Sequence, residues 1–167
     1  MADKKIIIGF VALTLLILGG GIFVLSSTVT TPAKITSSQN AKAEVPEKTF
    51  DWGNIPYSGE KATKTFIIKN SGTDVLQLSG IKTSCTCTKA QISIEGKTSP
   101  YFNMHSTSGW VGEIPPDKEA KLLVIFDQTF HGPTGVGPVE RLVSMETNDT
   151  QNPSLEFSLK GVVVKDK

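Results

Sequence analysis

Two cysteines carry the sharpest chemistry in this 167-residue sequence. Cys85 and Cys87 flank one threonine in the run Ser84-Cys85-Thr86-Cys87-Thr88. Ile81, Thr83, Cys85 and Cys87 fall at period two, so an unbroken strand would place all four on one face. On such a strand the two cysteine Cα atoms would lie about 6.5–7 Å apart, at the outer limit for a disulfide. A bond between them would be strained and easily reduced. Two neighbouring thiolates instead suit a soft metal such as Cu(I). Met104, His105 and His131 are candidate further ligands if the segments that carry them fold back over the cysteines. The plainer alternative is two small buried side chains in an apolar interior, where free cysteine is common.

A second group has aromatic rather than metal-binding character. Tyr101, Phe102 and Trp110 occur in the stretch GKTSPYFNMHSTSGWVG, Gly96 to Gly112, and are candidate partner-binding anchors. The same rings also suit the sealing of one end of a β-sandwich. A second irregular stretch, HGPTGVGP, runs from His131 to Pro138. Irregular segments this long inside a compact domain are commonly functional.

Composition removes several classes. Lys and Arg total 17 against 16 Asp and Glu, so the chain lacks the basic surface that nucleic-acid binding needs. It has no Gly-rich phosphate loop and therefore no sign of a nucleotide site. Two cysteines and two histidines exclude a four-cysteine zinc ribbon and leave little for a catalytic triad. A Cys–His enzyme would lack both an orienting third group and an oxyanion motif, so the expectation is a non-enzyme.

The elements that position these residues begin with an anchor. Ile6 to Leu25 is a run of twenty residues without a charge. At about 1.5 Å per residue it would span about 30 Å as a helix, a bilayer's hydrocarbon thickness. Lys4 and Lys5 precede it and no charge follows until Lys34, which puts the N-terminus inside and the rest outside. The expected organisation is a cytoplasmic N-terminus (1–5), a transmembrane helix (6–25), a flexible linker (26–46) and an extracytoplasmic domain (47–167). The expected location is the cytoplasmic membrane, crossed once, with the domain periplasmic or extracellular. From Glu47 onward 13 basic residues meet 14 acidic ones, a net charge of −1.

Strand patterning dominates after Glu47. Thr65–Lys69, Val75–Leu78, Gln91–Ile94, Leu122–Phe126 and Val139–Thr147 read as strands separated by Gly, Pro, Asn and Asp clusters. In the last strand Leu155, Phe157, Leu159, Gly161 and Val163 alternate with polar residues. Phe66, Ile68, Leu122, Val124, Phe126, Phe157 and Leu159 form the expected core. No stretch after Glu47 shows a helical period with caps. The fold class is all-β, an immunoglobulin-like antiparallel β-sandwich of about seven strands.

Several motifs occur in a characteristic succession: Phe50-Asp51-Trp52-Gly53-Asn54-Ile55, Asn70 with Gly72, Ser84-Cys85-Thr86-Cys87-Thr88, Ile114-Pro115-Pro116, Phe126-Asp127 and Thr147-Asn148-Asp149. The chain from about Thr49 to Val164 thereby resembles a bacterial envelope family of unknown function. That family is similar to the immunoglobulin-like domains of the ASH, hydin and major-sperm-protein group. The resemblance implies a sandwich fold and an extracytoplasmic place, and it supplies no activity. The leading expectation is a membrane-anchored protein-interaction or structural module that meets another envelope protein. The alternative is a copper-binding protein built on Cys85 and Cys87 with loop Met and His ligands.

Overall fold

The computed structural model describes residues 4–27 and 35–166. Two compact units divide the chain at residue 31. The first holds one helix, α1 (Lys4–Ser27), formed by the apolar run. Its side chains are described over 6–18 and are exposed. Among the described residues no helix is long and apolar enough to cross a membrane. The rest of the expected span falls on residues whose side chains lie outside that description.

The second unit is a two-sheet β-sandwich. Its strands are β1 (Ala43–Glu44), β2 (Thr49–Pro56), β3 (Ala62–Asn70), β4 (Leu76–Thr83), β5 (Thr88–Ile94), β6 (Lys97–Thr98), β7 (Gly112–Ile114), β8 (Glu119–Phe126), β9 (Gly137–Thr147) and β10 (Ser154–Val164). One sheet has the order β1-β3-β8-β5-β6 and the other β2-β10-β9-β4-β7. Seven of these strands have seven or more residues, and the other three are fragments of two or three. The sequence pattern picks out six of the seven long ones and misses β2, where Ile55 alone is buried and the alternation is weak. Pairing is antiparallel throughout except between β2 and β10, which run parallel.

Alternation builds the core as expected. All seven predicted core residues are buried. Phe66 of β3 and Phe157 of β10 meet across the sheets with ring centroids 4.9 Å apart. Leu78, Ile81, Val143, Met145 and Leu155 fill the same layer. A smaller cluster lies at one end, where Ile55, Cys87, Phe126 and Val163 are buried together under Trp52, Tyr57 and Val139. Trp52 stacks on Phe126 at 5.7 Å.

The sandwich starts earlier than the composition suggests. The expected linker 26–46 is low in large apolar residues, yet its second half is docked. Ala41 is fully buried. β1 pairs with β3 through Ala43 opposite Asn70. The Ser38 amide donates to the Asn148 carbonyl at 2.7 Å, and the Thr73 amide donates to the Asn40 carbonyl at 2.9 Å. Backbone hydrogen bonds, to which hydropathy is blind, hold this segment in place.

Candidate functional site

The cysteines lie in a turn and not on a strand. β4 ends at Thr83, residues 84–87 turn, and β5 begins at Thr88, so the chain passes here from one sheet to the other. Local polar groups end the strand. The Ser84 amide donates to the Leu142 carbonyl, and the Ser84 hydroxyl accepts from the Leu142 amide, each at 2.9 Å. The Thr83 hydroxyl reaches the carbonyls of Cys85 (2.9 Å) and Thr88 (3.0 Å). The Thr88 amide closes the turn on the Cys85 carbonyl at 3.1 Å. The single face expected for Ile81, Thr83, Cys85 and Cys87 is thereby broken after Thr83.

The turn brings the two cysteine Cα atoms to 5.2 Å, and the sulfurs are joined as a disulfide. That separation is well inside the range disulfides span. The strand-based reading of an overstretched bond is thus corrected, because it assumed an extended backbone. Cys87 is 2% exposed and belongs to the end cluster, whereas Cys85 is half-buried. The Cys87 amide donates to Cys85 Sγ at 3.1 Å, and the Thr88 hydroxyl lies 3.7 Å from Cys87 Sγ.

Of the two histidines, His131 joins this site. Its Nε2 stands 3.9 Å from Cys85 Sγ. Donor atoms of Cys85, Cys87 and His131 all lie within 4.8 Å of one another. Phe130, 52% exposed, meets the His131 ring edge-on at 5.1 Å. His105 is exposed on the other long loop and is outside that group. Met104, 41% exposed, sits beside it. The expectation that both long segments converge on the cysteines therefore holds for the one carrying His131. The β6–β7 loop turns elsewhere because Phe102 pairs with Ala90 of β5 by two backbone hydrogen bonds, of 2.8 and 2.9 Å.

The aromatic trio divides by burial. Phe102 is 2% exposed and belongs to the main core, so it seals the sandwich and is not available to a partner. Trp110 is half-buried and tilts against Phe102 at 5.5 Å. Tyr101 is 54% exposed. Under this loop lies a cavity of about 280 Å³ lined by Ile81, Lys82, Phe102, Ser106, Trp110 and Glu146, among others.

Among the described residues Arg141 of β9 makes no ion pair with Asp127 or Glu140. Asp127 instead pairs with Lys61 at 2.7 Å, and Glu140 lies 3.9 Å from Lys160. Arg141 donates to the Glu140 backbone carbonyl at 2.7 Å and lies over the Phe126 ring at 4.7 Å. Its Nε has no partner, and burial lowers its pKa. The guanidinium therefore stands against Phe126, a ring buried in the same cluster as Cys87. The alternation of β9, in which Val139, Arg141 and Val143 share a face, was the available signal.

Fold and site together define a two-sheet β-sandwich with a Cys85–Cys87 disulfide in a turn that joins the sheets. Residues 43–100, which include the cysteine turn, match the family described as "Protein of unknown function (DUF1573)". A protein of unknown function from Porphyromonas gingivalis is similar in structure, at 21% identity and a TM-score of 0.56, over 77% of this chain and 49% of that one. This chain therefore spans about half the length of that relative. The ASH/PapD-like domain 7 of human CEP192 matches at 17% identity and a TM-score of 0.48, over 84% and 98% of the two chains. WR4, a major-sperm-protein family member from C. elegans, matches at 12% identity and a TM-score of 0.38, over 73% and 97%. Among curated proteins nothing matches the chain.

Proposed function

We propose that the chain is a membrane-anchored, extracytoplasmic interaction module of the cell envelope, without catalytic activity. The observation that carries this reading is the β6–β7 loop. It holds Tyr101 and Met104 in solvent and also carries Phe102 and Trp110, which line the cavity. An exposed ring and thioether on a loop that also lines an aromatic-walled cleft are what a protein partner uses as anchors. The uncharged run from Ile6 to Leu25 and the lysines before it support the anchor and its orientation. A photo-crosslinking side chain at Tyr101 of the full chain in native membranes tests the reading. A discrete adduct at Tyr101, absent when the same group replaces exposed Lys121 on β8, supports it. Equal labelling at both positions, or none at Tyr101, overturns it.

A second reading is favoured by the grouping of Cys85, Cys87 and His131. Once reduced, the two sulfurs and Nε2 would offer a three-donor set for a soft ion such as Cu(I). The oxidised pair offers no thiolate, so this reading applies to the dithiol alone. Copper retained by the reduced chain, and lost in Cys85→Ser, supports it. Equal retention by both proteins removes it.

A further inference from the structure

The Cys85–Cys87 bond joins two residues of one turn and ties no strand to another. Cross-link stabilisation in the chain-entropy account grows with the logarithm of the enclosed loop, so a separation of two gives very little. The turn is also held by contacts that do not involve the sulfurs. The Asp127 amide donates to the Cys87 carbonyl at 2.8 Å, the Thr83 hydroxyl donates to the Cys85 carbonyl, Ser84 bonds Leu142, and the Thr88 amide donates to the Cys85 carbonyl. Stability is therefore a poor account of this disulfide.

Its surroundings suit exchange. Access is one-sided, with Cys85 half-buried and Cys87 closed off among Ile55, Phe126 and Val163. Exposed Phe130 stands against the His131 ring next to Cys85, which gives an approaching protein an apolar contact beside the reachable sulfur.

We propose that Cys85–Cys87 is a thiol–disulfide exchange site that accepts two electrons from a protein dithiol of the Cys-x-x-Cys class, and that Cys85 is the sulfur attacked. A partner thiolate attacks Cys85 Sγ and forms an intermolecular disulfide. The bonding pair of the Cys85–Cys87 bond leaves on Cys87 Sγ, which takes a proton from solvent. The partner's second thiolate then attacks the partner sulfur of the mixed disulfide. Cys85 is expelled as a thiolate and is protonated in turn. The partner dithiol ends as a disulfide and this chain as a dithiol, a transfer of two electrons and two protons. The step depends on neither the loop partner nor a metal.

The test uses the full chain in three forms. The wild-type protein is equilibrated with reduced and oxidised dithiothreitol, and its thiols are counted by alkylation and mass. Its circular dichroism is followed throughout. A thioredoxin-type probe with a Cys-x-x-Ser site is then used to trap the mixed disulfide. Reversible gain of two thiols with an unchanged fold, and an adduct mapping to Cys85, are the expected results. Glutathione disulfide should modify Cys85 in Cys87→Ser at least about tenfold faster than Cys87 in Cys85→Ser, as access controls the rate. Equal or inverted rates, an adduct on Cys87, a bond that resists dithiothreitol in the folded protein, or unfolding on reduction would each overturn the proposal.

Discussion

Asp149, buried after β9, accepts a hydrogen bond from the Ala43 amide at 2.9 Å and so clamps β1 to a turn 106 residues away. The same carboxylate accepts from the Gln151 amide at 2.8 Å and from the Asn152 side chain at 2.9 Å. Burial alone would raise its pKa, but these hydrogen bonds outweigh burial and hold it below the ordinary aspartate value. The carboxylate thus works as a three-way acceptor that joins the N-terminal segment to the far end of the sandwich.

Acid should release this clamp. A depressed folded-state pKa means that the group contributes its stability above the unfolded pKa, about 3.9, and loses it as pH falls through the folded value. The contribution is therefore complete at neutral pH and withdrawn only below about pH 4. Asp149→Ala should cost about 2–3 kcal/mol at pH 7, as expected for hydrogen bonds to a charged acceptor. Urea unfolding should show a lower midpoint at unchanged slope. The gap between variant and wild type should narrow as pH drops below 4 and stay constant between 6 and 8 (about one unit either way). A gap that grows in acid would mean that the carboxylate is not the stabilising form.

Gly72 offers a second handle on the same segment. A methyl group built there would overlap the Asn40 carbonyl oxygen and lie 2.6 Å from the Lys42 nitrogen. Both are backbone atoms, so no side-chain rotation relieves the clash. Gly72→Ala should lift residues 38–44 off β3 and cost about 1–3 kcal/mol, the usual range for overpacking. Limited proteolysis should then cut near Asn40 in the variant and leave the wild type intact there. Unchanged protection would place the segment elsewhere than against Gly72.

Phe157 tests the main core. It is fully buried and touches Phe66 across the sheets. Phe157→Ala should cost about 3–5 kcal/mol in denaturant unfolding. A loss under about 1 kcal/mol would place the ring at a site that collapses without a cavity, contrary to its position between two packed sheets.

The core was legible because period-two alternation in β3, β8 and β10 marks inward positions directly, and Phe66, Leu122 and Phe157 are all where that pattern puts them. The docked segment 38–44 was not legible, because its anchors are backbone amides and one distant carboxylate. The cysteine turn was half legible. Its residue types announced sulfur chemistry, but Ser84 breaks the strand with a hydroxyl contact to Leu142 that depends on where β9 lies. The same dependence hid Arg141, whose neighbour Phe126 belongs to the other sheet. His131 and His105 looked equivalent in sequence. Only the Ala90–Phe102 pairing, a long-range contact, separates them.

Trp110, which lines the cavity, also packs across Gly112. A methyl group at Gly112 would overlap the far edge of the indole ring and lie 3.0 Å from Ile94 Cδ1. The indole makes the closer overlap, and its two side-chain torsions let it swing away. Gly112→Ala should therefore displace Trp110 toward solvent and open the cleft beside Phe102. The measurement is tryptophan emission in a Trp52→Phe background, which leaves Trp110 as the sole reporter. A shift to longer wavelength and faster quenching by acrylamide are expected, with a stability loss of about 1–3 kcal/mol. If the exposed Tyr101 region binds its partner through the same cleft, crosslinking from Tyr101 should fall in this variant while the core, read by Phe157, stays intact. Unchanged emission with an equal loss of stability would instead mean that the strand β7 moves and the indole holds its place.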